Sequence, residues 1–266
     1  MRSESAHHPE RLPYGEGIYR RRILLAAAEG RVFADLEDDF HRYGIEIEHD
    51  GDRVTAVRGG AGRFPWSECA NFLTPLLAFR GTPLATSLRA VSRRADARQS
   101  CTHAFDLAVL AIAHAAAGRA RRQYDVAVPD REEGVTRARL ERDGELVLAW
   151  DLWGSEIREP PPYAGRELRG PGLGRWAESE LDPDAAEAAI VLRRGVFIAN
   201  GRLGDFDSAR DASVLLPWAE SSCRSFTPGI AEKALRVRGS IREFTHHPER
   251  LLADVLRPQE PDAGLG

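Results

Sequence analysis

Apolar and polar residues alternate from Ile18 to Leu25, which predicts a first β-strand, because successive side chains of a strand point to opposite faces. A second alternating stretch runs from Arg31 to His41, and Tyr43 to His49 continues it. Within it, Leu36, Asp38 and Phe40 share one face, while Glu37, Asp39 and His41 share the other. The apolar residues change parity near Gly44, which predicts a bulge there. "HDGD" at His49 to Asp52 supplies the positive φ angles of a tight turn, and Arg53 to Arg58 returns as the next strand. "GGAGRFP" is expected to break the sheet.

The period then changes from two residues to that of a helix. Ser67 to Phe79 carries apolar residues at helical spacing, with Pro75 predicting a kink and Gly81 a stop. A shorter helix is expected over Pro83 to Val91. From Ser100 an alanine-rich apolar helix runs towards Gly118 and closes with arginines, which complement its dipole. Ser100 or Thr102 is the expected cap. Alternation returns at Gln123 to Val128, Val135 to Arg142 and Glu145 to Trp153, the last two joined by Asp143-Gly144. A proline- and glycine-rich excursion follows. Pro183 opens a helix through Ala199, with a strand over Val191 to Ile198 as the alternative. A last short helix is expected from Pro248 to Leu256. The reading is an α+β fold: a twisted antiparallel sheet packed against helices, with a mixed C-terminal half that extends or covers it. The chain divides into an extended arm (1–16), an α+β core holding the candidate site (17–122), and a β-meander, Pro/Gly loop, helix and tail (123–266).

Composition adds exclusions. The chain has 266 residues and a net charge of −4, with no basic excess for nucleic acid. Lys233 is the single lysine and lies in a polar stretch, so Schiff-base chemistry is poorly supported. No apolar run approaches the ~18 residues a membrane helix needs, and the N-terminus lacks the apolar core of a signal peptide. Cys69, Cys101 and Cys223 are too few and scattered for a disulfide framework. The expected setting is the cytoplasm, with a small-molecule substrate as partner, no nucleic acid, no membrane, and a homodimer as an open possibility.

Three stretches carry candidate chemistry. "LEDDFH" puts Asp38 or Asp39 near the core beside His41, and a buried carboxylate with a shifted pKa suits acid–base work. "SCTHAFD" places Cys101 at a helix start, where the dipole favours a thiolate. His103 and Asp106 share a helix face there, as an oriented base or a metal-ligand pair. "GRFPWSEC" sets Arg63 before a helix N-terminus as an anion clamp, with Trp66 and Cys69 lining a pocket. Cys69, Cys101, His103, Asp39 and His41 are acceptable metal ligands, though no C-x-x-C or H-E-x-x-H spacing occurs. No G-x-S-x-G elbow is present, and "GPGLG" follows a loop rather than a strand.

"YRRRI", "LEDDFH", "HDGDRV", "RFPWSEC" and "CTHAFDLA", in that order, resemble a bacterial family filed as domain of unknown function number 2889. The resemblance covers most of residues 17–245 and implies an association with catabolism of aromatic or steroid-like compounds. More distantly, the order of sheet, glycine-rich corner, helix and Cys-Thr-His is similar to the IscU-type iron–sulfur scaffold. That similarity implies metal ligands at Cys69, Cys101 and His103. The expected function is a cofactor-independent catabolic enzyme of lyase, isomerase or hydratase type, acting on a small, largely apolar compound. Asp38, Asp39, His41, Cys101, His103 and Asp106 would be catalytic, and Arg63, Trp66 and Cys69 would bind substrate. The alternatives are a metal or iron–sulfur protein using Cys69, Cys101 and His103, and a non-enzymatic binding module.

Overall fold

The computed structural model describes residues 12–219 and 222–255. Eight antiparallel strands form one open sheet in the order β4-β3-β2-β1-β5-β6-β7-β8. They are β1 (Ile18–Ala28), β2 (Arg31–Asp38), β3 (Arg42–His49), β4 (Val54–Arg63), β5 (Arg121–Pro129), β6 (Val135–Arg142), β7 (Glu145–Trp153) and β8 (Glu156–Glu159). The sheet runs through the division expected at 122/123, because β1 pairs with β5 as well as β2. Residues 1–11 of the expected arm lie outside the described residues, and 12–16 hold a turn.

The stretch from Arg31 to His49 is two strands rather than one continued strand. Asp38 stops β2, and the chain reverses over Asp39 to His41. The break in pairing falls between Arg42 and Tyr43 on the β3–β4 side, not at Gly44. "GGAG" does not break the sheet. It lies inside β4, where a Cβ on Gly59 would sit 2.7 Å from the carbonyl oxygen of Gly44, so glycine permits the close approach. The Ser67 to Phe79 segment kinks as Pro75 predicts: two 3₁₀ turns flank a single α-turn, α1 (Leu73–Leu76).

Helix α2 (Leu88–Ser92) is followed by α3 (Thr102–Ala116). After the second meander come α4 (Gly172–Glu180) and α5 (Pro183–Ala199). Helix α4 begins in the last three residues of the Pro/Gly excursion, which ends at Gly174, and runs on through a stretch for which no element was expected; the strand alternative for Val191 to Ile198 is overturned. Around Pro248 only a 3₁₀ turn forms, and 256 lies outside the described residues. No helix among the described residues is long and apolar enough to cross a membrane.

Alternation on β1 puts Tyr19, Arg21, Ile23 and Leu25 on one buried face. Helix α3 lies on that face over β1, β2 and β3, and α5 lies on it over β5, β6 and β7. Arg20 and Arg22 point to the other face, where they donate to the carbonyl oxygens of Thr245 and Leu251 in the C-terminal tail. Both faces of β1 and β2 are therefore covered near Asp38, and this puts the candidate residues in the core.

Candidate functional site

Asp38 is the last residue of β2 and has no solvent exposure. Register places it opposite Arg21, whose Nη2 donates to Oδ2 at 2.7 Å. Tyr19 Oη donates to the same oxygen at 2.7 Å. The other oxygen accepts from the backbone N–H groups of Phe40 at 2.9 Å and His41 at 2.7 Å, so Asp38 shapes the turn that follows it. Burial alone would raise its pKa, but Arg21 and His41 more than reverse this, and the carboxyl lies well below the usual range.

That turn carries the His41 ring over the start of α3. There it stacks on His103, with ring centroids 3.6 Å apart and planes at 25°. Both rings face Asp38: His41 Nδ1 is 3.4 Å from Oδ1, and His103 Nε2 is 3.6 Å from Oδ2. Neither contact has hydrogen-bond geometry, so both nitrogens are buried without a hydrogen-bond partner. The other nitrogen of His103, Nδ1, lies 3.6 Å from Cys101 Sγ. Burial, and then His41, push the pKa of His103 down to about 4, so its imidazole is neutral near pH 7.

Cys101 takes the N-cap position of α3 and makes no side-chain cap bond. The expected cap, Ser100, instead donates to the carbonyl oxygen of Phe72 at 2.9 Å, which ties the Cys69 segment to α3. The carbonyl of Ser100 accepts from Arg224 N–H at 3.1 Å, which brings in the Cys223 segment. Cys69 Sγ lies 3.4 Å from Ser225 Oγ, and its thiol hydrogen-bonds to Cys101. All three cysteines of the chain thus gather at one place, buried and free. Burial would raise the Cys101 thiol, but the Cys69 thiol and the two imidazoles carry it well below its ordinary value. The hydrogen bond to Cys101, then burial, push Cys69 well up. Burial, then Cys101, push Cys223 up to about 12. His41, Cys101 and His103 each bring one potential ligand atom within 4.8 Å of the others.

Asp38, His41, Cys69, Cys101 and His103 therefore converge, while the other candidates have different partners. Asp39 turns to Arg202, 3.1 Å away, and burial pushes its carboxyl well up. Asp106 shares no bond with His103 and pairs with Arg194 on α5. Arg63 is not poised as an anion clamp: its guanidinium is buried and spent on Glu37 and on the carbonyl oxygens of Asp38, Asp39, His41 and Ser240. Trp66 packs against Phe206 and Phe226 in a small second core that also holds Cys69, and it lines neither of the two principal cavities.

Four contributors were not anticipated: Tyr19, Arg21, Cys223 and Tyr43, whose Oη donates to the carbonyl oxygen of Cys69 at 3.3 Å and whose ring stacks on His41. The Arg21–Asp38 pairing depends on strand register, which alternation alone does not set. Cys223 did carry a signal, its rarity, since a chain with three cysteines that gathers all of them has placed each one. Comparison with family models, with curated proteins and with solved structures returned no match.

Proposed function

We propose that this chain binds one transition-metal ion, zinc or ferrous iron, through His41, Cys101 and His103, with Cys69 beside them as a fourth donor. The observation that carries the reading is the meeting of three ligand atoms within 4.8 Å inside the core. Around tetrahedral zinc, nitrogen at ~2.05 Å and sulfur at ~2.3 Å stand about 3.6 Å apart. The Cys101 Sγ to His103 Nδ1 distance is 3.6 Å. Thiolate with imidazole suits zinc or iron and does not suit magnesium or calcium. Asp38 occupies the place of an outer carboxylate: it faces one nitrogen of each ring and leaves the other nitrogen for the ion.

The resemblance of the sequence motifs to the iron–sulfur scaffold would imply Cys69, Cys101 and His103 as ligands, and His41 enters from geometry alone. Three free cysteines fit a reducing compartment such as the cytoplasm.

The test is cobalt(II) titration of the chelated, anaerobically handled chain. One equivalent should bind with a thiolate-to-cobalt charge-transfer band in the near ultraviolet. Cys101→Ser should lose the band, and His103→Ala should bind at least tenfold more weakly.

A second reading has its own observation. Cys101 Sγ, His103 and Asp38 Oδ2 form a line with 3.6 Å at each step. This favours metal-free thiolate or acid–base chemistry, of the lyase, isomerase or hydratase kind, on a small apolar compound. A chain that takes up no cobalt, yet is alkylated rapidly by iodoacetamide at Cys101, would support it.

A further inference from the structure

Helices α3 and α5 leave a gap over the middle of the sheet. A cavity of about 370 Å³ fills it, within the range of small-molecule sites. Ile23 and Leu36 form its floor, Phe105 and Leu110 of α3 one wall, and Ile190 of α5 the other. Of the residues around the cysteine–histidine cluster only Arg21 reaches it, and His41, Cys101 and His103 do not line it. It is a separate site.

Its charges do not balance. Five arginines (Arg21, Arg89, Arg175, Arg193 and Arg194) line it against two acids, Asp106 and Glu178. Both acids are engaged: Asp106 pairs with Arg194, and Glu178 accepts from Ser87 Oγ and the Arg89 N–H. Asp38 neutralises Arg21. Arg193 is half-buried and donates to the carbonyl oxygens of Leu168 at 2.7 Å and Gly170 at 2.8 Å, which carry no net charge. Burial, then the neighbouring Arg194, lower its pKa against the opposing pull of Asp106, which is itself paired with Arg194. Arg89 and Arg175 stand exposed at the mouth with no ion-pair partner among the described residues.

An apolar chamber beside an uncompensated guanidinium selects an anion with an apolar body. The Nε and Nη2 of Arg193 are held by the Leu168 and Gly170 carbonyls, which leaves Nη1 to give a carboxylate a charge-assisted hydrogen bond. We infer that this cavity binds a small monocarboxylate, with its carboxylate at Arg193 and its apolar body on the Ile23–Leu36 floor.

Isothermal titration of the full chain with octanoate and with 1-octanol tests this. Octanoate should bind one to one, and 1-octanol roughly tenfold or more weakly, because it lacks the charge-assisted bond. Arg193→Gln should bring octanoate down to the level of 1-octanol. Gly174 lies on α4 at the cavity wall, and a Cβ there would meet nothing within 4 Å. Gly174→Trp should therefore keep the fold and abolish binding. Cys101→Ser should leave octanoate affinity unchanged, which separates this site from the metal. The inference is overturned if octanoate does not bind, if 1-octanol binds as tightly, or if Gly174→Trp titrates like the parent chain. The contrast between the two ligands on the parent chain decides the matter even where Arg193→Gln fails to fold.

Discussion

At the scale of residues, Asp38 organises the centre. One carboxylate satisfies Tyr19, Arg21 and two turn N–H groups, and faces two imidazoles. Removing the charge strands the buried Arg21, and breaking a buried pair costs about 3–5 kcal/mol. Asp38→Asn should lower the urea midpoint by that order. If it still folds, it should weaken cobalt binding about 10–100-fold, as loss of an outer-shell carboxylate does. An unchanged midpoint would show that the pair contributes little. A third buried histidine lies outside the cluster. Burial, then Arg119, push His114 down to about 4. The unfolded chain therefore takes up this proton below about pH 6.5 while the folded chain does not. Stability from this group is complete above that value and is lost as the pH falls towards 4. Denaturant melts between pH 7 and 4.5 should show a loss to which His114 contributes on the order of 1–2 kcal/mol, and His114→Gln should flatten the profile by that amount.

At the scale of elements, what could be read in advance was what repeats locally. Alternation located β1 to β7, and period and end signals located the long helices α3 and α5. Where a local rule failed, a distant contact explains it. "GGAG" reads as a breaker, yet the Gly59 position serves a close strand approach to Gly44. The Asp38 to His41 turn was hidden because alternation continues through it, and the buried carboxylate, not a glycine, makes the reversal. Cys101, His103, Asp38 and His41 were each singled out, but whether they meet depends on the turn and on the pairing of β1 with β2. Gly195 makes the same point inside α5. Helix propensity favours alanine there by about 1 kcal/mol. A Cβ would lie 2.6 Å from Val126 Cγ1 on β5, and a branched valine cannot swing aside. Gly195→Ala should therefore destabilise by about 1–3 kcal/mol, and adding Val126→Ala should recover part of that loss. A stabilising Gly195→Ala would mean that α5 does not seat on β5 this closely.

At the scale of the whole molecule, the strand order is symmetric. Each half is a four-strand meander followed by a main helix on the same sheet face, and β1 joins β5 at the seam. The proposed metal centre belongs to the first half, at the start of α3, and the cavity lies at the seam between the two main helices. Arg202 ties the parts together from just beyond α5. It reaches Asp39 after β2 at 3.1 Å, Asp130 after β5 at 2.8 Å and Glu243 in the tail at 3.0 Å. Arg202→Met would leave three buried carboxylates without their common cation. The expected loss is at least about 3–5 kcal/mol, seen as a lower urea midpoint at an unchanged slope. A midpoint equal to that of the parent would show that the three segments hold together without it.

A metal centre at the cysteine–histidine cluster requires that the chain carry its ion when purified. Elemental analysis of the chain purified anaerobically without chelator tests it most directly, with Cys101→Ser purified in parallel. Close to one zinc or iron per parent chain is expected, and almost none in the variant. A folded parent chain that carries no metal and takes none up would contradict it.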